Sequence, residues 1–266
     1  MLAIRCGVAL EDSHLHPQTD WFVLTAEANP NLDPVTLTNA FRTEGELHIF
    51  TSNTAIQSFI RIWKTHLQAK LNSVHSQRAT ALGVGVTTDT AVKELKNLGM
   101  PIQWTLLDVK GDEPRLNGLQ WTLAKLEQLN LLPGSPLHLW TKTNSASERI
   151  LKEFRATRTW SQWQTHVHEV YKLALAESAF PLPIAEALEH NRPICFGVKS
   201  AEVLEATVTL LLKHLGVKSA AALPSKVRFC AWEKSALQKA QELCLQPRLQ
   251  PFNEFEKLIS ARERDS

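Results

Sequence analysis

The chain has 266 residues, 44% of them hydrophobic, and a formal charge of only +2, which suits two cores of ordinary size better than one very large one. Acidic and basic side chains are interspersed, so the charge footprint of a duplex nucleic-acid binder is excluded while a small anionic ligand is not. No window approaches a membrane span, and the apolar opening Met1-Leu2-Ala3-Ile4 is too short for a signal peptide; a cytoplasmic protein with no membrane partner is expected.

Short apolar runs alternate with amphipathic segments, the pattern of an α/β fold with parallel strands. The predicted strands are Leu2–Val8, Trp21–Ala26, Leu47–Thr51, Ala79–Val84, Ile102–Leu106, Leu137–Thr141, His166–Leu173, Pro193–Gly197 and Val227–Ala231. After the third, Ser52 and Asn53 are N-cap types, and Ile56, Phe59, Ile60, Trp63 and Leu67 recur at helical spacing. A helix opening near Thr54 is therefore expected, with its first N–H groups directed past the strand end, where a carboxylate could sit. Thr88–Leu98 with Gly99, Leu116–Leu129, Ala146–Phe154, Ser200–Leu215 with Gly216, and Lys234–Leu243 read as further helices.

Two halves echo one another. Ile49-Phe50-Thr51-Ser52-Asn53-Thr54-Ala55 aligns with Cys195-Phe196-Gly197-Val198-Lys199-Ser200-Ala201, each followed by a helix and another strand. The extended runs Trp21–Ala28 and Val167–Leu175 precede proline-bearing stretches, Asn29–Pro34 and Phe180–Pro183, and could cross between units. If both cross, residues 1–26 and 174–266 form one discontinuous domain, residues 27–173 form an inserted one, and helix starts of both line the cleft between them.

Cys6, Cys195, Cys230 and Cys244 show neither CxxC spacing nor a Cys/His cluster, and read as reduced, buried small hydrophobes. His166 and His168 share a face of a strand, and His14 and His16 have the same spacing in a polar stretch. Neither pair has a third ligand, so no metal site is expected. Gly83-Val84-Gly85-Val86-Thr87-Thr88 lacks the glycine a dinucleotide fingerprint needs at Thr88. Trp160 and Trp163 have no accompanying basic stripe and read as packing residues.

The segment Phe50–Phe59 resembles, in order, the FTSxxAVxxF segment of uroporphyrinogen-III synthases, and Val170-Tyr171 resembles the Val-Tyr of that family's Val-Tyr-Arg-Thr segment. The resemblance implies two flavodoxin-like parallel-sheet domains linked by two extended segments. It also implies a lyase of heme and tetrapyrrole biosynthesis that closes hydroxymethylbilane and inverts its D ring, with no cofactor and as a monomer. Tyr171, the single tyrosine of the chain, would be the catalytic group. A phenol ordinarily titrates near ~10 and can hand a proton to a leaving hydroxyl at neutral pH; on residue type alone it is equally an aromatic filler. The substrate's many carboxylates would be held at helix starts, by Thr51, Ser52, Asn53, Thr54, Thr87, Thr88, Lys199 and Ser200, and by Lys142, which stands where the family has arginine. Helix-start Ser and Thr are commonly structural caps, and Lys142 could equally be a solvated loop residue. The opening lacks the family's first turn and helix, and the second half has Phe196-Gly197-Val198-Lys199-Ser200 for Phe-Thr-Ser-Pro-Ser. A non-catalytic two-lobed α/β binding module on the same fold is therefore the alternative.

Overall fold

The computed structural model describes residues 1–9, 19–29, 32–40, 47–50, 52–67, 78–81, 93–95, 97, 102–105, 136–142, 152, 164–176 and 180–264. Every predicted strand is present: β1 Leu2–Ala9, β2 Asp20–Ala28, β3 Leu47–Phe50, β4 Arg78–Ala81, β5 Ile102–Thr105, β6 Leu137–Lys142, β7 Thr165–Leu175, β8 Ile194–Val198 and β9 Val227–Ala231. The described helices are α1 Pro34–Asn39, α2 Asn53–Leu67, α3 Leu182–Glu189, α4 Ala201–Leu215, α5 Lys234–Glu242 and α6 Phe252–Arg264. Lys93–Leu95 is helical too, whereas the helix expected over Leu116–Leu129 lies outside the described residues.

The described residues fall into two compact units, one of residues 1–25 and 174–264, the other of residues 26–173. In the first unit the strand order is β2-β1-β8-β9, and each of these pairings is parallel. Its strands are mostly apolar, and β8 is buried at every position, as a strand covered on both faces requires. Ser200 caps α4 by accepting the Val203 N–H at 3.4 Å, and Gly216 closes that helix in the left-handed conformation at φ 65°. A glycine reaches that backbone region without strain, which is why the helix stops there. The face between holds Val203, Leu204, Val208 and Leu211 against the sheet. On the opposite side α6 lays Phe255 and Ile259 over Ala3, Cys195 and Cys230, with Trp232 packed at the edge as a filler beside Phe252.

Helix α3 was not among the expected helices; it begins inside the proline-bearing stretch Phe180–Pro183. Pro181 is its N-cap residue and Pro183 lies in its first turn, where the missing N–H has no intrahelical partner to lose. The prolines therefore start this helix instead of breaking it.

In the second unit the order is β5-β4-β3-β6-β7, again parallel. Helix α2 sets Ile56, Phe59, Ile60 and Trp63 on the sheet, all buried, with Phe59 tilted against Phe50 and Trp140 at centroid distances of 5.2 and 4.9 Å. Burying three such aromatic side chains is worth several kcal/mol. The extended runs are also bonded inside each unit: Ala176 N–H donates to Val23 O in the first and Asn29 N–H to Val170 O in the second, both at 3.0 Å.

The internal echo exists in three dimensions, but two residues from where the sequences align. Ser52 and Ser200 are the equivalent caps, so Phe50-Thr51-Ser52 corresponds to Val198-Lys199-Ser200 and not to Phe196-Gly197-Val198.

Candidate functional site

The carboxyl ends of β3, β6 and β7 bring three of the expected site residues together in the second unit. Ser52 stands two residues beyond Phe50 at the end of β3. Its Oγ accepts the Ala55 N–H at 3.1 Å and its carbonyl accepts the Ile56 N–H. It is thus the N-cap of α2, which begins at Asn53, one residue ahead of the expected start; Thr54 is half-buried in the first turn. The same Ser52 Oγ lies 3.2 Å from the hydroxyl of Tyr171. Tyr171 is 5% exposed, so the phenol is neither a surface group nor a bare filler: its polar atom is aimed at a helix start. Lys142, the last residue of β6, is the register partner of Tyr171 and is half-buried.

The alignment of these groups depends on an irregularity. Thr141 pairs with Glu169, so a regular ladder would set Lys142 opposite Val170; instead the register slips and Lys142 pairs with Tyr171. One extra residue on β7 re-aims the side chain that follows, as bulges beside functional sites do.

Ser52 Oγ accepts from Ala55, and between Ser52 Oγ and the Tyr171 hydroxyl either atom can be the donor, so this pair can hold the phenol in both its protonated and its ionised form. The positive end of the α2 dipole, reaching the phenol through the Ser52 hydroxyl, favours negative charge there. Such a group can deliver a proton to a leaving oxygen and carry the resulting charge.

Behind this row the sheet face carries side chains that sequence reasoning only partly found. His166 and His168 do share a face, but they join His48 and His138 in a stack across β7, β6 and β3. His138 lies 4.8 Å from His48, 5.1 Å from His166 and 5.1 Å from His168 between ring centroids, and Trp140 stacks on His168 at 4.1 Å. His138 Nδ1 and His168 Nε2 are 2.8 Å apart, which requires one to donate and the other to accept. Trp140 Nε1–H donates to His48 Nδ1 at 3.2 Å, placing that ring's own proton on Nε2. Burial, reinforced by the neighbouring imidazoles, pulls His138 down to about 3 and His168 to about 4, and holds His48 well below the usual histidine range. These are neutral core rings. Among the described residues no group of three His, Cys, Asp or Glu is placed to hold a metal ion. His48 and His138 carry no local signal, since only the register of three strands stacks them.

The remaining expected residues are dispersed. Lys199 and Ser200 belong to the first unit, at the turn between β8 and α4, both half-buried, with Ser200 acting as the cap already described. Thr51, Thr87 and Thr88 lie outside the described residues, as do His14, His16, Trp160 and Trp163. Cys6, Cys195 and Cys230 are buried and pushed up to about 12 by that burial, which makes them inert thiols; Cys244 is exposed, contrary to expectation.

Among the described residues no helix is long and apolar enough to cross a membrane. No protein-family model and no curated protein sequence matches the chain. Solved structures do. Uroporphyrinogen-III synthetase from Helicobacter pylori aligns over 100% of both chains with a TM-score of 0.51 at 15% identity. Uroporphyrinogen III synthase from Thermus thermophilus aligns over 98% of both with a TM-score of 0.49 at 17% identity. At such identity the first likeness establishes a shared fold: the chain has the mostly parallel, two-unit α/β architecture of that enzyme.

Proposed function

We propose that the chain is a uroporphyrinogen-III synthase, a cofactor-free lyase that converts hydroxymethylbilane to uroporphyrinogen III, its two units being the domains 1–26 with 174–266 and 27–173. The observation that carries this reading is the 3.2 Å contact between Ser52 and the chain's single tyrosine at the carboxyl end of a parallel sheet, on a fold shared with that enzyme. Tyr171 would protonate the departing hydroxyl of the linear tetrapyrrole, so that the C–O bond breaks, water leaves and a protonated azafulvene, an azafulvenium cation, remains. The phenolate would be held by Ser52 until ring closure returns a proton. The terminal pyrrole would then bond through its substituted carbon to the exocyclic carbon of that electrophile, giving a spiro intermediate whose fragmentation and reclosure invert the D ring. Substrate of this reactivity needs orientation more than strong acid–base groups, which suits a site with one phenol and hydroxyl caps.

Lys142 would bind a substrate carboxylate as a point charge beside the phenol. Ser52, Asn53 and Thr54 would offer a helix start to another. Lys199 and Ser200 would do the same in the first unit, with Thr51, Thr87 and Thr88 completing the anchoring set. The protein would act as a cytoplasmic monomer. The test is to supply freshly made hydroxymethylbilane to the full chain and separate the oxidised products: type III isomer above the spontaneous level supports the reading. Only type I at the uncatalysed rate refutes it and leaves the non-catalytic binding module, for which tetrapyrrole binding without turnover would be the positive sign.

A further inference from the structure

Tyr171 owes its direction to the slip at Val170, and the groups that hold that slip lie on the chain far from it. Successive carbonyls of a regular strand point to opposite edges. Here those of Glu169 and Val170 are both reached by one residue, Asn29, immediately after β2: its backbone N–H donates to Val170 O at 3.0 Å and its side-chain Nδ2 donates to Glu169 O at 2.8 Å. A single residue can take two consecutive carbonyls only where the alternation is broken, and the register of β6 against β7 breaks at that point. The two observations are independent, one from β2 and one from β6, and they locate the same irregularity. On the far side of Tyr171, Lys172 Nζ pairs with Glu27 Oε2 at 2.7 Å. That pair is about half exposed and adds little energy, so the Asn29 clamp does most of the holding.

We infer that Asn29 is a positioning residue for Tyr171, fixing through its paired hydrogen bonds to Glu169 and Val170 the β7 slip that turns the phenol to Ser52. The residue type is constrained. Aspartate would present a carboxylate to a carbonyl, serine is too short to reach it, and alanine supplies only the backbone donor. In its consequence for catalysis the inference rests on the proposed synthase reading; in its consequence for geometry it does not.

The experiment uses Asn29→Ala and Asn29→Asp in the full chain, each alone and combined with Tyr171→Phe. With activity present, Asn29→Ala lowers type III formation by roughly 10- to 100-fold, the scale of a misplaced catalytic group, with KM little changed. It causes no further loss in the Tyr171→Phe background. Equal losses in both backgrounds, or no loss at all, would overturn the inference. Independently of turnover, 13Cζ-labelled tyrosine gives one NMR resonance because the chain has one tyrosine. That resonance moves in both Asn29 variants if the clamp aims the phenol, and an unmoved resonance in folded protein refutes the inference even when the enzyme is inactive. Absence of type III product in the unaltered chain refutes the synthase reading alone.

Discussion

Acidification should unfold the second unit, and the size of the effect follows from the stacked histidines. His48, His138 and His168 are neutral in the folded sheet and below their ordinary value of 6.5, two of them at about 4 or lower and the third well below it. The unfolded chain therefore takes up protons first as pH falls through 6.5, and each ring lowers stability by about 1.4 kcal/mol per pH unit below that point. By pH 5 the loss is about 2 kcal/mol for each of His138 and His168, about 4 kcal/mol for the two, with His48 adding to it in the same direction, a large share of the stability of an ordinary domain. The stabilisation is fully present above pH 7 and is lost downward from about 6.5. Among the described residues of the first unit no histidine is buried, so the acid-sensitive transition is expected from the second unit. Thermal melts followed by tryptophan fluorescence and far-UV circular dichroism at pH 8, 6.5, 5.5 and 5 should show one transition moving down steeply while another stays. Trp63 and Trp140 are fully buried in the sensitive unit and report its loss directly. A melting profile unchanged between pH 8 and 5 would refute the reasoning, as would an equal fall in a variant whose His138 and His168 are both replaced by Phe.

Three further outcomes are expected. Tyr171→Phe should reduce type III formation by about 10²-fold or more, within the range for a positioned proton donor, while costing only about 1 kcal/mol in stability for the lost hydrogen bond; full rate in this variant would make Tyr171 a packing residue. Gly197→Ala should destabilise the first unit severely, because a Cβ there meets the Phe255 ring at 2.3 to 3.0 Å, and adding Phe255→Leu should restore part of the lost melting temperature. Arg248 donates to the carbonyls of Ala221, Leu223, Pro224 and Val227, so Arg248→Lys, which cannot span four acceptors, should cost about 2 kcal/mol in chemical denaturation; a loss below 0.5 kcal/mol, roughly the scatter of surface substitutions, would contradict this account.

What the sequence determined by itself was local. Each strand was a short apolar run between turn residues, and those runs survive as the nine described strands because burial on both faces of a parallel sheet leaves that mark on any segment read alone. The caps were equally legible: Ser52 and Ser200 precede apolar periodicity, and Gly216 follows it. Helix α3 was hidden because prolines ordinarily mark a break and not a first turn, and α6 because its apolar residues are few among charges. Tyr171 stood out as a unique residue in a familiar pair. Its direction was decided only in three dimensions, by a slip at Val170 and by Asn29, 140 residues away from Glu169. The histidine stack and the two-residue shift of the internal echo have the same origin. Strand register and the meeting of distant strands arise from packing many segments at once, and no window of sequence contains the partner that sets them.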